Sequence, residues 1–143
     1  MDNGKEQEMT IQTSISELAE LFAIFDDPKD KFVQLMDMAR ESAGLKENEQ
    51  TEQNKIYGCT SQAWVVAKLT KDGTYQFRTD SDALIVKGLL NVLERIFNGS
   101  SSTEIRSVDG KTVLDSIGLD GSISNQRTNG FASAIQKIQQ IAV

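Results

Sequence analysis

The chain has 143 residues, a formal net charge of -6, no histidine and a single cysteine, a length that fits one domain with one continuous core. Its 15 basic residues are scattered singly, which argues against nucleic acid and against an anionic membrane surface, since both want a clustered basic footprint. One cysteine and no histidine leave no internal disulfide, no ordinary structural zinc site, no cluster on four thiolates and no imidazole-assisted chemistry, and they favour a reducing, cytoplasmic compartment.

Residues 1–12 are polar and without periodicity, and read as a flexible leader before a single domain over 13–143; Met9 is an alternative start. No apolar run reaches the length of a membrane span. Ser14-x-x-Glu17 has the form of a capping box and predicts a helix start, with Ile15, Leu18, Ala19, Phe22 and Phe25 on one face. Asp27-Pro28 is a second start signal, an N-cap followed by proline at the first helical position. Phe32, Leu35, Met36 and Ala39 form the apolar stripe of that helix, and Gly44 is its expected stop.

Residues 45–55 form a polar connection with no core pattern. Ala63–Leu69 is rich in strand formers, Lys71-Asp72-Gly73 is a turn signal, and Thr74–Arg78 reads as the returning strand of a hairpin. The Tyr57 region is a candidate for a short strand beside it. Ser81-Asp82 predicts the start of a helix carrying Ile85, Leu89, Val92, Leu93 and Ile96 on its buried face and ending at Asn98-Gly99. Gly88 inside that helix costs stability against alanine, unless another backbone needs to approach there. Ser100–Thr103 reads as a linker, and Glu104 to Gly118 as one or two short helical pieces. Ser124 is the expected cap of a last helix burying Phe131, Ala134, Ile135, Ile138 and Ile141. The sum is a small α+β domain, a short antiparallel β-sheet with helices packed on one side.

The candidate chemistry centres on Cys59, in Asn54-Lys55-Ile56-Tyr57-Gly58-Cys59-Thr60-Ser61-Gln62-Ala63-Trp64. A lone cysteine is most often a small buried hydrophobe. Against that stand the glycine before it and the polar residues after it, which suggest a loop tip where backbone amides stabilise a thiolate. Asp80 and Asp82 flank Ser81, where carboxylates ordinarily satisfy helix amides. Arg127 falls in the first turn of the last helix, where a positive charge opposes the helix dipole; it is either held by a carboxylate, turned toward a site, or solvated. Trp64 and the Met36 and Met38 side chains read as packing residues.

The stretches Gln53–Trp64, Asp80–Leu89 and Ser124–Gly130 resemble, in order and spacing, the SufE family of sulfur-acceptor partners of cysteine desulfurases. The resemblance runs from about Ser14 onward, with Ala63 standing where valine is usual before the tryptophan. It implies a SufE/IscU-like sandwich and a carrier rather than a turnover enzyme. Cys59 would take sulfane sulfur from a pyridoxal-phosphate-dependent desulfurase of the SufS or CsdA kind and pass it to an iron–sulfur assembly scaffold or another acceptor. The pyridoxal phosphate belongs to the partner, so no cofactor is expected on this chain, nor any metal. The resemblance also implies that Arg127 supports the Cys59 loop or its thiolate, and that Asp82 supports the loop, by pairing with Arg127 or through backbone amides. A monomer or weak homodimer is expected. The competing readings are an IscU-like scaffold, for which the ligands are missing, a cysteine hydrolase, which lacks a histidine base, and an interaction domain with an inert thiol.

Overall fold

The backbone of Asp2 to Val143 and the side chains from Ile11 onward are described by a computed structural model. Helices α1 (Asp2–Ala23) and α2 (Pro28–Glu41) lead into a 3-10 turn at Glu47–Glu49. Strands β1 (Ala63–Leu69) and β2 (Thr74–Ser81) follow, then α3 (Leu84–Phe97), β3 (Ser100–Ser101), α4 (Ser102–Arg106), α5 (Val113–Ser116) and α6 (Asn125–Ile141). The architecture is α+β, with an antiparallel sheet in the order β1-β2-β3. No helix among the described residues is long and apolar enough to cross a membrane.

The hairpin forms where its turn signal lies. Gly73 has φ +83°, the amide of Gly73 donates to the carbonyl of Thr70, and that of Thr70 donates to the carbonyl of Thr74. This is the three-residue hairpin loop that needs a left-handed residue last, which glycine supplies without a Cβ penalty. The register pairs Val65 with Thr79 and Ala67 with Phe77. Odd-numbered side chains therefore share one face, and Ala63, Val65, Tyr75, Phe77 and Thr79 on it are buried. Helix α3 packs on β2 and touches α1, α2 and α6, so its apolar stripe is the centre of the core; Val92, Leu93, Ile96 and Phe97 are fully buried.

Gly88 marks the closest approach of two helices. A Cβ there would collide with the carbonyl oxygen of Leu35 on α2, so the packing of α2 on α3 depends on a missing side chain. Asp27 caps α2, accepting from the amide of Lys29 at 2.9 Å, and Ser124 caps α6, accepting from the amide of Arg127 at 3.3 Å. The edge of β2 away from β1 is closed by side chains of α3 and of the residue that follows it: the amide of Phe77 donates to Asn98 Oδ1 at 2.6 Å and that of Thr79 to Glu94 Oε2 at 3.1 Å. Burial holds the Glu94 carboxyl above the usual range despite the Thr79 donors. Backbone donors that would otherwise invite another strand are thereby used.

Four sequence expectations are corrected. Helix α1 passes straight through Ser14, because Ile11, which is buried, extends the Ile15, Leu18 and Phe22 stripe by one turn. The expected leader over 1–12 thus joins that helix in its backbone, while the side chains of residues 1–10 lie outside the described residues. Phe25 lies beyond the helix end. Ser81-Asp82 does not start α3: β2 runs on to Ser81, paired with Ala63, and α3 begins at Leu84 with no side-chain cap. Ser100–Ser101 is a short strand on β2 rather than a plain linker, and Ser101 then caps α4 in a box with Glu104.

Candidate functional site

Cys59 sits on the loop Tyr57–Ser61, anchored at both ends. Upstream, the amide of Ile56 donates to the carbonyl of Ala63 at 2.8 Å and the amide of Val65 to the carbonyl of Asn54 at 2.9 Å. Lys55 thereby bridges Trp64 in antiparallel fashion, a single isolated bridge in place of the short strand expected near Tyr57. Ile56 is buried and pins this arm in the core. Downstream, Gln62 is grasped three times. Its amide donates to Asp82 Oδ1 at 3.0 Å, and its carbonyl accepts from the Ser81 hydroxyl at 2.7 Å and from the Asp82 amide at 3.1 Å.

Between these anchors the loop lies across α6. Gly58 has φ +98°, and a Cβ there would collide with Ser133 Oγ. Glycine is needed at this position both for its backbone angle and for its lack of a side chain. One turn earlier on α6, an added Cβ at Gly130 would sit 3.2 Å from Cys59 Sγ. The thiol contacts the Gly130 carbonyl oxygen at 3.7 Å. Two glycines, one in the loop and one in the helix, let the backbones approach closely enough to shelter the sulfur.

The recess beside Sγ is lined by Val86, Leu89 and Leu90 of α3 and by Arg127, Gly130 and Phe131 of α6. It encloses about 20 Å³, room for about one water-sized atom. The thiol is partly buried, and burial pushes its pKa up. A carbonyl oxygen accepts from S–H and disfavours S⁻, so the resting group is a thiol. The expectation of a thiolate held by backbone amides at the loop tip is therefore overturned: the tip's backbone is exposed at Gly58 and Thr60, while the sulfur turns inward.

The two aspartates have distinct tasks, and neither caps α3. Asp82 holds the loop through the Gln62 amide, one of the two expected arrangements, and does not pair with Arg127; the ion pairs among the described residues include neither. Asp80 is buried and gathers the polar connection. It accepts from the amide of Leu45 at 2.9 Å and from Gln50 Nε2 at 3.4 Å, and it pairs with Lys87 of α3 at 3.5 Å. Residues 45–55 are thus fixed against the sheet, reinforced by an Arg78–Glu49 ion pair and by Asn54 Nδ2 donating to the Glu49 carbonyl at 2.9 Å. Arg127 lines the recess with its guanidinium 5.7 Å from the centre of the Phe32 ring, within cation–π range.

The walls of the recess were not legible as site residues. Leu89 and Phe131 read as core positions because they are core positions that also face the sulfur, while Val86 and Leu90 carried no sequence signal. Gly130 offered one signal, a glycine inside a helix, which is the same mark that singled out Gly88.

The SufE family, described as an iron–sulfur metabolism associated domain, matches residues 16–142. An uncharacterised SufE-like protein of Rhizobium meliloti is 33% identical over 91% of this chain and 95% of its own length. One of Rhizobium etli is 30% identical over 94% of this chain and 93% of its own. The solution structure of a hypothetical protein from Thermus thermophilus superposes with a TM-score of 0.72 at 18% identity, covering 89% of this chain and 91% of that one. At that identity it speaks for the fold alone. The chain belongs to the SufE family.

Proposed function

We propose that this SufE-family chain is a sulfur acceptor and carrier. It takes sulfane sulfur from a pyridoxal-phosphate-dependent cysteine desulfurase onto Cys59, stimulates that desulfurase, and releases the sulfur to an iron–sulfur assembly scaffold or another acceptor in a reducing, cytoplasmic setting. The observation that carries the reading is the placement of the only thiol. It is held on a loop fixed at both ends, facing an apolar recess with room for about one more atom.

The chemistry is transpersulfidation, the sulfur analogue of thiol–disulfide exchange. Cys59 Sγ attacks the terminal sulfur of the donor's persulfide. The donor's S–S bond breaks, a new S–S bond forms at Cys59, and the proton lost by Cys59 goes to the departing donor thiolate. One thiol and one persulfide become one persulfide and one thiol, with no net oxidation and no metal. Because burial raises the thiol's pKa, the isolated protein reacts slowly, and docking speeds the transfer by bringing the loop out or supplying the proton acceptor. Once loaded, the same recess keeps an oxidation-prone persulfide away from water. Asp82 sets how firmly the loop is held, and Arg127 stands at the mouth of the recess as its positive wall.

Incubation with the cognate desulfurase and L-cysteine should add the mass of one sulfur atom to Cys59. Cys59→Ser should remove both the adduct and the stimulation of alanine release while keeping the fold. A wild-type protein that gains no sulfur from a working desulfurase would leave an interaction domain with an inert thiol as the reading.

A further inference from the structure

The sequence scatters its cations singly, but the fold collects some of them around the thiol. Arg127, Gly130, Ser133 and Lys137 fall on one side of α6. Cys59 lies on Gly130 and Gly58 lies on Ser133. The loop therefore crosses α6 between two cations ten residues apart, about 15 Å along the axis. Neither has a carboxylate within 4 Å among the described residues. On the Lys137 side the surface forms an open recess lined by Lys55, Tyr57, Ser133, Gln136, Lys137 and Gln140.

Three features of this recess stand out against the rest of the molecule. The chain carries a net charge of -6, yet among the described residues no acidic side chain lines it. Lys137 Nζ donates to the carbonyl of Gln53 at 3.1 Å, which fixes the ammonium without neutralising it. Tyr57, two residues before Cys59, is 65% exposed, with Lys55 Nζ 5.6 Å from its ring centre. An exposed tyrosine supported by a cation is the residue type that anchors protein interfaces. Glu52 sits 4.0 Å from Lys55 and also accepts from the Tyr57 hydroxyl, so Lys55 and Tyr57 are held in place by their own counter-charge and Lys137 is the cation of the recess without one within 4 Å among the described residues.

We propose that the Lys55–Tyr57–Lys137 recess is the docking point for an acidic side chain on the rim of the sulfur donor's active site. The inference rests on the carrier reading above, and it names the surface by which the donor finds the loop. Its logic is charge complementarity beside the reacting atom. Lys137 has no carboxylate within 4 Å among the described residues, so an acidic side chain on the donor meets a cation there that the carrier's own carboxylates leave unpaired, and that contact sets the register that brings the persulfide to Cys59. Rim charges of this kind act on encounter and on salt dependence more than on the chemistry itself.

The test is binding of the full-length protein to its cognate desulfurase, measured by biolayer interferometry at low and high salt, beside the sulfur adduct on Cys59. The K55E/K137E variant is expected to bind at least about tenfold more weakly at low salt, with the gap closing as salt screens the charges. The neutral K55Q/K137Q variant should bind between wild type and K55E/K137E at low salt, a grading with charge that a disturbed loop would not give. Unchanged affinity at low salt in K55E/K137E overturns the docking surface and leaves the carrier reading intact. Weakened binding with no sulfur adduct even in the wild type upholds the surface and sinks the carrier reading. A wild type that neither binds nor takes sulfur removes both.

Discussion

Replacing Asp82 by alanine isolates the clasp on the Cys59 loop. The side chain contributes one hydrogen bond, accepted at 3.0 Å from the amide of Gln62. The other two bonds to Gln62, from the Ser81 hydroxyl and the Asp82 amide, survive the substitution. Asp82 is exposed, so the loss is that of a solvent-accessible bond, about 1 kcal/mol. If alkylation of the sheltered thiol proceeds through a brief opening of the loop, its rate is the opening equilibrium times the rate for a free thiol. A destabilisation of about 1 kcal/mol then raises it about fivefold, since 1.4 kcal/mol is a factor of ten. The assay is iodoacetamide labelling followed by intact mass, with wild type and D82A side by side. Because the bond lies outside the core, the thermal midpoint should move by no more than a few degrees. Equal labelling rates in two equally folded proteins would refute the claim that Asp82 governs access to the sulfur.

Two further outcomes follow from the same geometry. The pH profile of Cys59 labelling should have its midpoint above the ordinary thiol value of about 8.5, because burial favours the neutral form. Its folded pKa exceeds the unfolded one, so the thiol's contribution to stability is complete below the unfolded value and is lost as pH rises toward the folded one. A labelling midpoint at or below that of the urea-unfolded chain contradicts the resting thiol. Gly88→Ala places a Cβ on the Leu35 carbonyl and should cost roughly 1–3 kcal/mol by forcing α2 off α3, read as a lower urea midpoint; stability equal to wild type would show that the helices have slack there.

Most local elements were legible because their causes are local. The Asp27-Pro28 start, the Gly73 turn and the Ser124 cap each satisfy backbone groups within a few residues, and the hairpin's alternation needs only its own side chains. The errors arise where a long-range partner outbids a local signal. Ser14 has the form of a cap, but Ile11 finds a place in the core and carries the helix past it. Ser81 and Asp82 have the composition of a helix start, but the register with Ala63 keeps the strand going. Ser100 and Ser101 look like linker residues until β2 offers them an edge.

For the site the division is sharper. Sequence alone determined that a thiol chemistry would have one cysteine and no histidine to work with, and the motifs around Cys59, Asp82 and Arg127 carried the family. It could not determine which way the sulfur faces. That depends on Gly58 packing on Ser133 and Gly130 packing on Cys59, glycines 72 residues apart in the numbering of the chain, and on α3 supplying the apolar wall. Whether a thiol is poised or sheltered is a matter of desolvation, which no spacing of residues records. Likewise, the charges of Arg127, Lys137 and Lys55 look dispersed along the chain and become a bracket around Cys59 only when α6 passes beneath the loop.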